Sequence, residues 1–124
     1  MKITTGEVFI VSEKYSIVIN AAKKVINMKV VGTFTPEDVQ NFVKDYQAKV
    51  NSIEASAYTL DVDCTSMDIL KPEMVPALEN SFKMYKESGF GKVLFTINKS
   101  AILKMQLNRI VRNSGLTNAE VVEL

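Results

Sequence analysis

Hydrophobic and polar residues alternate along the first third of the chain. Residues 6–13 (GEVFIVSE) and 15–20 (YSIVIN) are two β-rich runs, and the short charged break between them suits a hairpin. Residues 24–32 (KVINMKVVG) also alternate, and their apolar side is formed by Ile26, Met28 and Val30. The pattern predicts three successive strands, the third with one wetter face.

The hydrophobic period changes at residue 36, where a helix is predicted to run from 36 to 53. Thr35 suits the N-cap position, Pro36 suits the first helical position, and the acidic pair at 37–38 suits the positive end of the helix dipole. Apolar residues then recur at steps of three and four, so they share one face. That face carries Val39, Phe42, Val43, Tyr46, Val50 and Ile53.

Strands and helices alternate in the rest of the chain. A strand is predicted at 55–63, and a helix lies between about Pro72 and Ser88. Its regular part is expected to begin near Pro76, because an interior proline removes a backbone hydrogen bond. The inward face of this helix is predicted to carry Met74, Val75, Leu78, Phe82 and Tyr85. The remaining predicted elements are the helix stop at Gly89, a strand at 92–98, a helix at 100–114 closed by Gly115, and a strand at 118–124.

The element order β-β-β-α-β-α-β-α-β predicts an α/β fold. We expect a mixed sheet with parallel β-α-β crossovers and helices covering it. The 124 residues suit one domain, residues 1–124, around one core. The continuous apolar run at 92–98 indicates a strand covered on both faces. The residues predicted to be mostly buried are Val39, Phe42, Val43, Tyr46, Leu60, Val62, Leu78, Phe82, Leu94, Phe95 and Ile97.

The composition excludes several kinds of chemistry. There is no histidine, which removes Ser-His-Asp and Cys-His catalysis and His-ligated metal sites. The single cysteine, Cys64, allows neither an internal disulfide nor a thiolate zinc site, and it lacks the adjacent base that a nucleophilic thiol needs. We therefore expect no enzyme activity, no cofactor and no metal.

Charge and hydropathy limit the partners and the cellular location that the sequence allows. The net charge of +1 gives no global attraction to nucleic acid, and no apolar run approaches the ~20 residues that span a bilayer. The N-terminal stretch MKITTGEVFI shows no secretory signal. We expect a cytoplasmic protein with no membrane span and no nucleic-acid partner.

Two short motifs carry a family resemblance. Gly32 ends a predicted strand and is followed by Phe34 and the acidic helix start TPED at 35–38, and a later strand reads LDVD at 60–63. In this layout the chain resembles the STAS domain, the fold of bacterial anti-sigma factor antagonists, including the stage II sporulation protein AA-like group. The resemblance covers nearly the whole chain. It implies a non-catalytic module that binds another protein or a second copy of itself.

The loop after LDVD departs from the family pattern. Family members carry Asp-Ser-Ser-Gly there at a helix start, and a partner kinase phosphorylates one serine. Counted from the start of LDVD, the serine positions fall on Leu70 and Lys71 and the glycine on Pro72. A slip of one residue places the aspartate on Asp68 and the serines on Ile69 and Leu70. Neither register supplies a hydroxyl, so the resemblance implies a module that lacks the phosphoacceptor serine.

This loop is apolar where a solvent-facing loop is usually polar. A proline follows it and restricts the preceding residue to extended geometry, so the loop is stiff and loses little entropy on binding. We predict a partner-binding surface formed by Met67, Asp68, Ile69, Leu70 and Lys71. In the alternative interpretation, Ile69 and Leu70 fold back and cap the core beneath the second helix.

Two further patterns have an ordinary and a functional interpretation. Asp61, Asp63 and Thr65 match the first three ligand positions of a calcium loop, but Ser66 and Pro72 occupy its glycine and terminal glutamate positions, which favours solvated carboxylates.

From residue 88 to residue 119 the charged residues are all basic, and this is either a solvated face or a docking surface for an acidic partner or membrane headgroups. The basic residues are Lys92, Lys99, Lys104, Arg109 and Arg112.

A small-ligand or lipid-binding domain is the alternative function. Domains of similar architecture hold apolar ligands between sheet and helices. The chain has six methionines, and flexible side chains such as those of Met74 and Met84 are able to line an adaptable pocket. The same spacing is found in an ordinary core.

Overall fold

The computed structural model describes residues 9–11 and 14–124, and these residues form six strands and three α-helices. The strands are β1 (Phe9–Val11), β2 (Tyr15–Asn20), β3 (Val25–Gly32), β4 (Thr59–Met67), β5 (Lys92–Ile97) and β6 (Ala119–Glu123). The helices are α1 (Pro36–Val50), α2 (Val75–Ser88) and α3 (Ala101–Ser114), with short 3₁₀ turns at Ala55–Ala57 and Pro72–Met74. The rest of the predicted first strand and most of the stretch MKITTGEVFI lie outside the described residues.

The strands form one mixed sheet in the order β1-β2-β3-β4-β5-β6. The pairs β1/β2 and β2/β3 are antiparallel, and the three following pairs are parallel. Each parallel pair is connected through a helix, as the alternating second half of the sequence predicts. The predicted α/β class, the element order and the mixed sheet are confirmed.

The helices lie on one face of the sheet. The strand order never reverses, and right-handed crossovers that advance in one direction leave their helices on the same side. The register agrees, because one continuous row of side chains across the sheet, Ile17, Met28, Val62, Phe95 and Val121, belongs to or packs against the core.

The opposite row of the sheet is Val18, Asn27, Asp61, Leu94 and Glu120, and none of these residues is fully buried. The prediction that 92–98 is covered on both faces is therefore wrong. Leu94 is apolar, but its partners in this row are Asp61 and Glu120, and in the described residues no helix crosses this face. Leu94 is only half-buried because it is shielded by adjacent strands alone.

Aromatic rings fill the space between the sheet and α1 and α2. Phe42 meets the Tyr15 ring edge-on at 5.4 Å between centroids, and Phe82 stacks on Phe95 at 4.5 Å. Such pairs add stabilisation beyond their buried area. The predicted burial of Phe42, Tyr46, Leu60, Val62, Phe82, Phe95 and Ile97 is confirmed, whereas Val39, Val43, Leu78 and Leu94 are half-buried.

Local capping fixes the start of α1 as predicted. The Asp38 amide donates to Thr35 Oγ1 at 3.1 Å, and the Thr35 amide donates to Asp38 Oδ2 at 2.8 Å. This reciprocal capping box satisfies two otherwise unpaired donors. The helix ends at Val50, three residues before its predicted end at 53.

Two boundaries differ from the sequence prediction in the second half. Residues 55–57 form a 3₁₀ turn and not the start of a strand, while β4 continues to Met67, past the predicted end at 63. Pro76 is the second residue of α2, where its missing amide hydrogen falls among donors that have no helical partner. The predicted helix stops at Gly89 and Gly115 are confirmed by left-handed φ values of 78° and 75°.

Candidate functional site at the ends of β3 and β4

The candidate site is a corner formed where β3 and β4 end side by side. Gly32 pairs with Met67 at the last position of the parallel ladder, after a register shift between Lys29 and Val31. The Asp68 amide then donates to Gly32 O at 3.2 Å, which prolongs the ladder by one bond. The corner lies at the carboxyl edge of the parallel strands, where α/β proteins commonly bind ligands.

The predicted recognition loop is shorter than the sequence indicates. Residues 64–67 belong to β4, which leaves only the four residues 68–71 between the strand and the 3₁₀ turn. Asp68 accepts a hydrogen bond from Thr33 Oγ1 at 2.9 Å and so connects this segment to the chain that leaves β3. We name Asp68–Lys71 the corner segment.

The five predicted contact residues do not face the same way. Ile69 is 53% exposed, and Asp68 and Lys71 are exposed as well. Met67 and Leu70 are half-buried and pack against the core. Each of the two interpretations of the apolar loop therefore fits one residue. Ile69 points outward, as a contact residue would, whereas Leu70 caps the core.

Gln106 of α3 holds the corner segment in place. Its side chain accepts from the Leu70 amide at 3.1 Å and donates to the Leu70 carbonyl at 3.0 Å. A planar amide that satisfies both main-chain groups of one residue leaves that residue little freedom. The segment is thus tied to α3 as well as to β3.

Two exposed apolar side chains lie on α3, the helix that holds the corner segment. Ile102 and Met105 are 53% and 59% exposed, and Ile102 lies one turn before the residue that binds Leu70. With Arg109 and Arg112 they form a stripe at steps of three and four within about 80° of helix arc. We name these four residues the α3 outer stripe.

The sequence prediction identified the basic half of this stripe and missed the apolar half. The apolar half was recognisable, because Ile102 and Met105 are out of phase with the buried residues Leu103, Leu107 and Ile110. Lys104, another of the five basic residues, lies outside this stripe, because it faces β6 and pairs with Glu123 at 2.9 Å. In the described part of the chain, neither arginine is ion-paired.

A narrow cavity lies directly beneath the corner segment. Its volume is about 60 Å³, and it is bounded by the sheet, the first turns of α2 and the residues that follow β3. Apolar side chains dominate its walls, among them Met67, Met74 and Leu78. Ser81 and Tyr85 of α2 are polar residues on its inner wall.

The carboxylates of β4 lie on the open face of the sheet. Asp61 and Asp63 lie within the extended strand β4, in which alternate residues stand ~6.6–7 Å apart. A calcium loop instead curls its ligands around one ion, so this strand does not have the geometry of a calcium loop. Burial opposes ionisation of Asp63, but hydrogen bonds from Thr65 Oγ1 and the Thr65 amide outweigh it and lower the carboxyl pKa. In the described residues, no three acidic or cysteine side chains are grouped closely enough to hold a metal ion.

Cys64 is buried on the helix-covered face of β4. Burial raises the pKa of its thiol to about 12, and the charges of Asp63 and Asp61 add to the effect. The thiol is therefore protonated at neutral pH, and the thiolate that nucleophilic chemistry requires is disfavoured.

Hydroxyl groups are scarce near the start of α2. The nearest before it are Thr65, whose hydroxyl donates to Asp63 Oδ1 at 2.6 Å, and exposed Ser66, and both lie within β4. The next along the chain is Ser81, which is buried in the middle of α2. No serine or threonine stands between residues 67 and 80.

No protein-family model matches the chain, and no curated protein matches it. The resemblance to the STAS domain therefore rests on the residues quoted above. Of the helices that the described residues form, none has the length and apolar character needed to cross a membrane.

Proposed function

We propose that the chain is a non-catalytic protein-interaction module, similar to an anti-sigma factor antagonist but without the phosphoacceptor serine. The short motifs at 32–38 and 60–63 support the family likeness. The observed element order and the mixed sheet are compatible with it. The contact surface in this proposal is the corner segment together with the α3 outer stripe.

The observation that carries the proposal is the exposed apolar patch of Ile69, Ile102 and Met105. Each of these side chains is more than half exposed, and each is attached to backbone that is held by a helix or by the Gln106 hydrogen bonds. A large apolar side chain on a rigid support loses little entropy when a partner covers it. Two unpaired arginines beside the patch add groups that are enriched at binding hot spots.

The same surface defines the chemistry of the partner. An apolar patch continued by Arg109 and Arg112 is complementary to a partner with an apolar centre and an acidic margin. Because the segment from 67 to 80 contains no hydroxyl, binding in this proposal does not depend on phosphorylation of the corner.

The test is binding to a purified anti-sigma factor of the serine-kinase type from the same organism, measured by calorimetry. Met105→Glu is expected to weaken binding at least about tenfold, because it places a carboxylate in the apolar centre of the contact. Gln47→Glu on the exposed side of α1 is the matched control and should bind like the unaltered chain.

Self-association is measured in parallel by sedimentation. If the second copy is the partner, Met105→Glu should shift a concentration-dependent dimer to monomer. The proposal is wrong if the chain stays monomeric and binds no such factor, or if both variants bind equally well.

A further inference from the structure

One edge of the sheet is formed by β6, and in the described residues its outer backbone groups have no partner. In a parallel pair, alternate residues of a strand bond to the neighbouring strand, and the residues between them point outward. The Asn118 carbonyl accepts from the Val93 amide, and the Leu124 amide donates to the Ile97 carbonyl. The even-numbered residues of β6 therefore face β5. The outward N–H and carbonyl groups belong to Ala119, Val121 and Glu123.

This edge lacks the features by which many sheets prevent edge-to-edge pairing. Natural edge strands are commonly interrupted by proline or a bulge, or they carry charged side chains. The five residues of β6 include no proline, and they pair with β5 without a register shift. Glu123 lies 2.9 Å from Lys104 Nζ. Glu120 lies 3.8 Å from Lys92 Nζ, so each carboxylate of the strand is balanced by a lysine of the same chain.

Apolar side chains beside the edge are only half-buried. Val121 packs against the core on the helix-covered face, but in the described residues no strand lies beyond it to complete its cover. Val111 of α3 is half-buried as well. It lies two helical turns after Lys104 and so on the side of α3 that faces β6. A strand added to this edge would cover apolar surface as well as bind backbone groups.

A second copy of the chain fits this edge in an antiparallel, two-fold register centred on Val121. Val121 then stands opposite itself, and the outward N–H groups of each copy meet the outward carbonyls of the other. Glu120 stands opposite Val122 of the second copy. Glu123 stands opposite Ala119, so all five residues of the strand are paired and no two carboxylates face each other directly.

The other two-fold registers of β6 are less favourable. A register centred on Glu120 or on Glu123 places two like charges directly opposite each other, which is destabilising. A register centred on Ala119 or on Val122 leaves part of the strand unpaired. Charge and strand length therefore select the register centred on Val121.

We propose that β6 is a dimerisation edge, through which two copies of the chain join antiparallel and form one continuous sheet. This dimer is distinct from the contact surface assigned to the protein partner. Lys104 faces β6 and lies outside the α3 outer stripe, and the corner segment follows β4, two strands away from β6. The dimer would therefore leave both parts of that surface free.

The first test removes an outward N–H group from the edge. Val121→Pro leaves every bond to β5 in place, and edge strands accept proline where the N–H faces solvent. Sedimentation equilibrium of the full chain from micromolar to millimolar concentration should show a dimer that this variant weakens by about tenfold or more. Val121→Thr keeps the N–H and the side-chain shape and should dimerise like the unaltered chain. Thermal melting verifies that each variant is folded.

A pair of charge variants tests the register itself. Val122→Lys places an ammonium group opposite Glu120 of the second copy, and two such pairs form in each dimer. It should tighten dimerisation by about two- to tenfold, whereas Val122→Glu should weaken it by a similar factor. Both effects should shrink at high salt concentration.

Met105→Glu separates this proposal from the proposed function. It should leave the β6 dimer unchanged, and Val121→Pro should leave binding to the anti-sigma factor unchanged. A chain that is monomeric at millimolar concentration, a folded Val121→Pro variant that dimerises as tightly as the unaltered chain, or equal effects of the two Val122 variants would each overturn the dimer proposal. A dimer that Met105→Glu alone dissociates would do the same, and it would assign self-association to the α3 outer stripe.

Discussion

The side chain of Gln106 forms two hydrogen bonds with the main chain of Leu70, 36 residues earlier in the sequence. Its amide group takes the place of a neighbouring strand, accepting from the Leu70 N–H and donating to the Leu70 carbonyl. This contact joins α3 to the segment that leaves β4. It fixes the position of Ile69 relative to the α3 outer stripe, and the proposed contact surface depends on that position.

Replacement of Gln106 by alanine should therefore loosen the corner segment. Two half-buried hydrogen bonds are lost, which we expect to lower the free energy of unfolding by about 1–3 kcal/mol. Amide hydrogen exchange at Leu70 should become faster, because the N–H loses its acceptor. Gln47→Ala on exposed α1 surface is the control. An unchanged exchange rate at Leu70 in the Gln106→Ala variant would mean that the two Gln106 hydrogen bonds do not restrain the corner segment.

The capping box of α1 should make a measurable contribution to stability. Thr35→Ala removes the acceptor for the Asp38 amide, and the loss of an N-cap typically costs ~0.5–2 kcal/mol. Urea denaturation at pH 7 measures this cost. Thr117→Ala in the exposed loop before β6 provides a threonine control and should leave the urea midpoint unchanged.

The same box also predicts a response to acid. The backbone hydrogen bond from Thr35 holds the pKa of Asp38 below its ordinary value, and Lys14 nearby adds to the effect. A carboxyl group whose pKa is lower in the folded state than in the unfolded state stabilises the folded state at pH values above its ordinary pKa, near pH 4. That stabilisation is lost as the pH falls through the pKa of the folded state. Asp38→Asn should therefore flatten the decline of the urea midpoint below about pH 4. An equally steep decline would exclude this role for Asp38.

Features of the fold that depend on neighbouring residues could be predicted from the sequence. The start of α1 follows from Thr35 and Asp38, three residues apart, and the ends of α2 and α3 follow from single glycines. The extension of β4 could not be predicted in this way. Residues 64–67 look like a polar loop, and they are a strand only because Val31 and Gly32 of β3 pair with them across a register shift.

The thiol of Cys64 should be almost unreactive at neutral pH. Its pKa near 12 and its burial should slow alkylation by iodoacetamide at pH 8 about a hundredfold or more relative to an exposed cysteine. The control is Ser66→Cys in a Cys64→Ala background, since residue 66 is exposed in the same strand. Unfolding in urea should restore ordinary reactivity to Cys64. Equal rates for the two folded proteins would contradict the buried position.

The raised pKa of the thiol also implies lower stability at high pH. A thiol whose pKa is higher in the folded state than in the unfolded state stabilises the folded state at pH values below the ordinary thiol pKa of ~8.5. This stability is lost as the pH rises toward 12, because the unfolded chain releases the proton first. Cys64→Ala should lose less stability than the unaltered chain between pH 8 and pH 10. Parallel curves of urea midpoint against pH would rule out this linkage.

The candidate site was predictable only in part, for a physical reason. The apolar character of residues 69–70 is visible in the sequence, but their opposite orientations are set by contacts with distant residues. Leu70 faces inward because its main chain is bound by Gln106 and its side chain meets the core. Ile69 has no such contact and remains 53% exposed. Local pattern cannot separate two adjacent residues that differ only in long-range contacts.

This difference allows the structural and binding roles of the corner segment to be separated by two matched substitutions. Ile69→Asp adds a charge at an exposed position and should leave the melting temperature nearly unchanged, since most surface substitutions stay within ~0.5 kcal/mol. Leu70→Asp removes an apolar contact with the core and places a carboxylate there, which we expect to cost about 1–3 kcal/mol and several degrees of melting temperature.

Partner binding, or self-association if the partner is a second copy, should change in the opposite way. Ile69→Asp should weaken it, because the substitution introduces a charge into the apolar patch while the fold is intact. Leu70→Asp keeps the main-chain bonds to Gln106, so once its lower stability is allowed for, the folded fraction should retain most of the binding. Thermal melting and calorimetric titration of both variants measure the two effects separately. If Ile69→Asp binds as well as the unaltered chain, Ile69 does not belong to the contact surface.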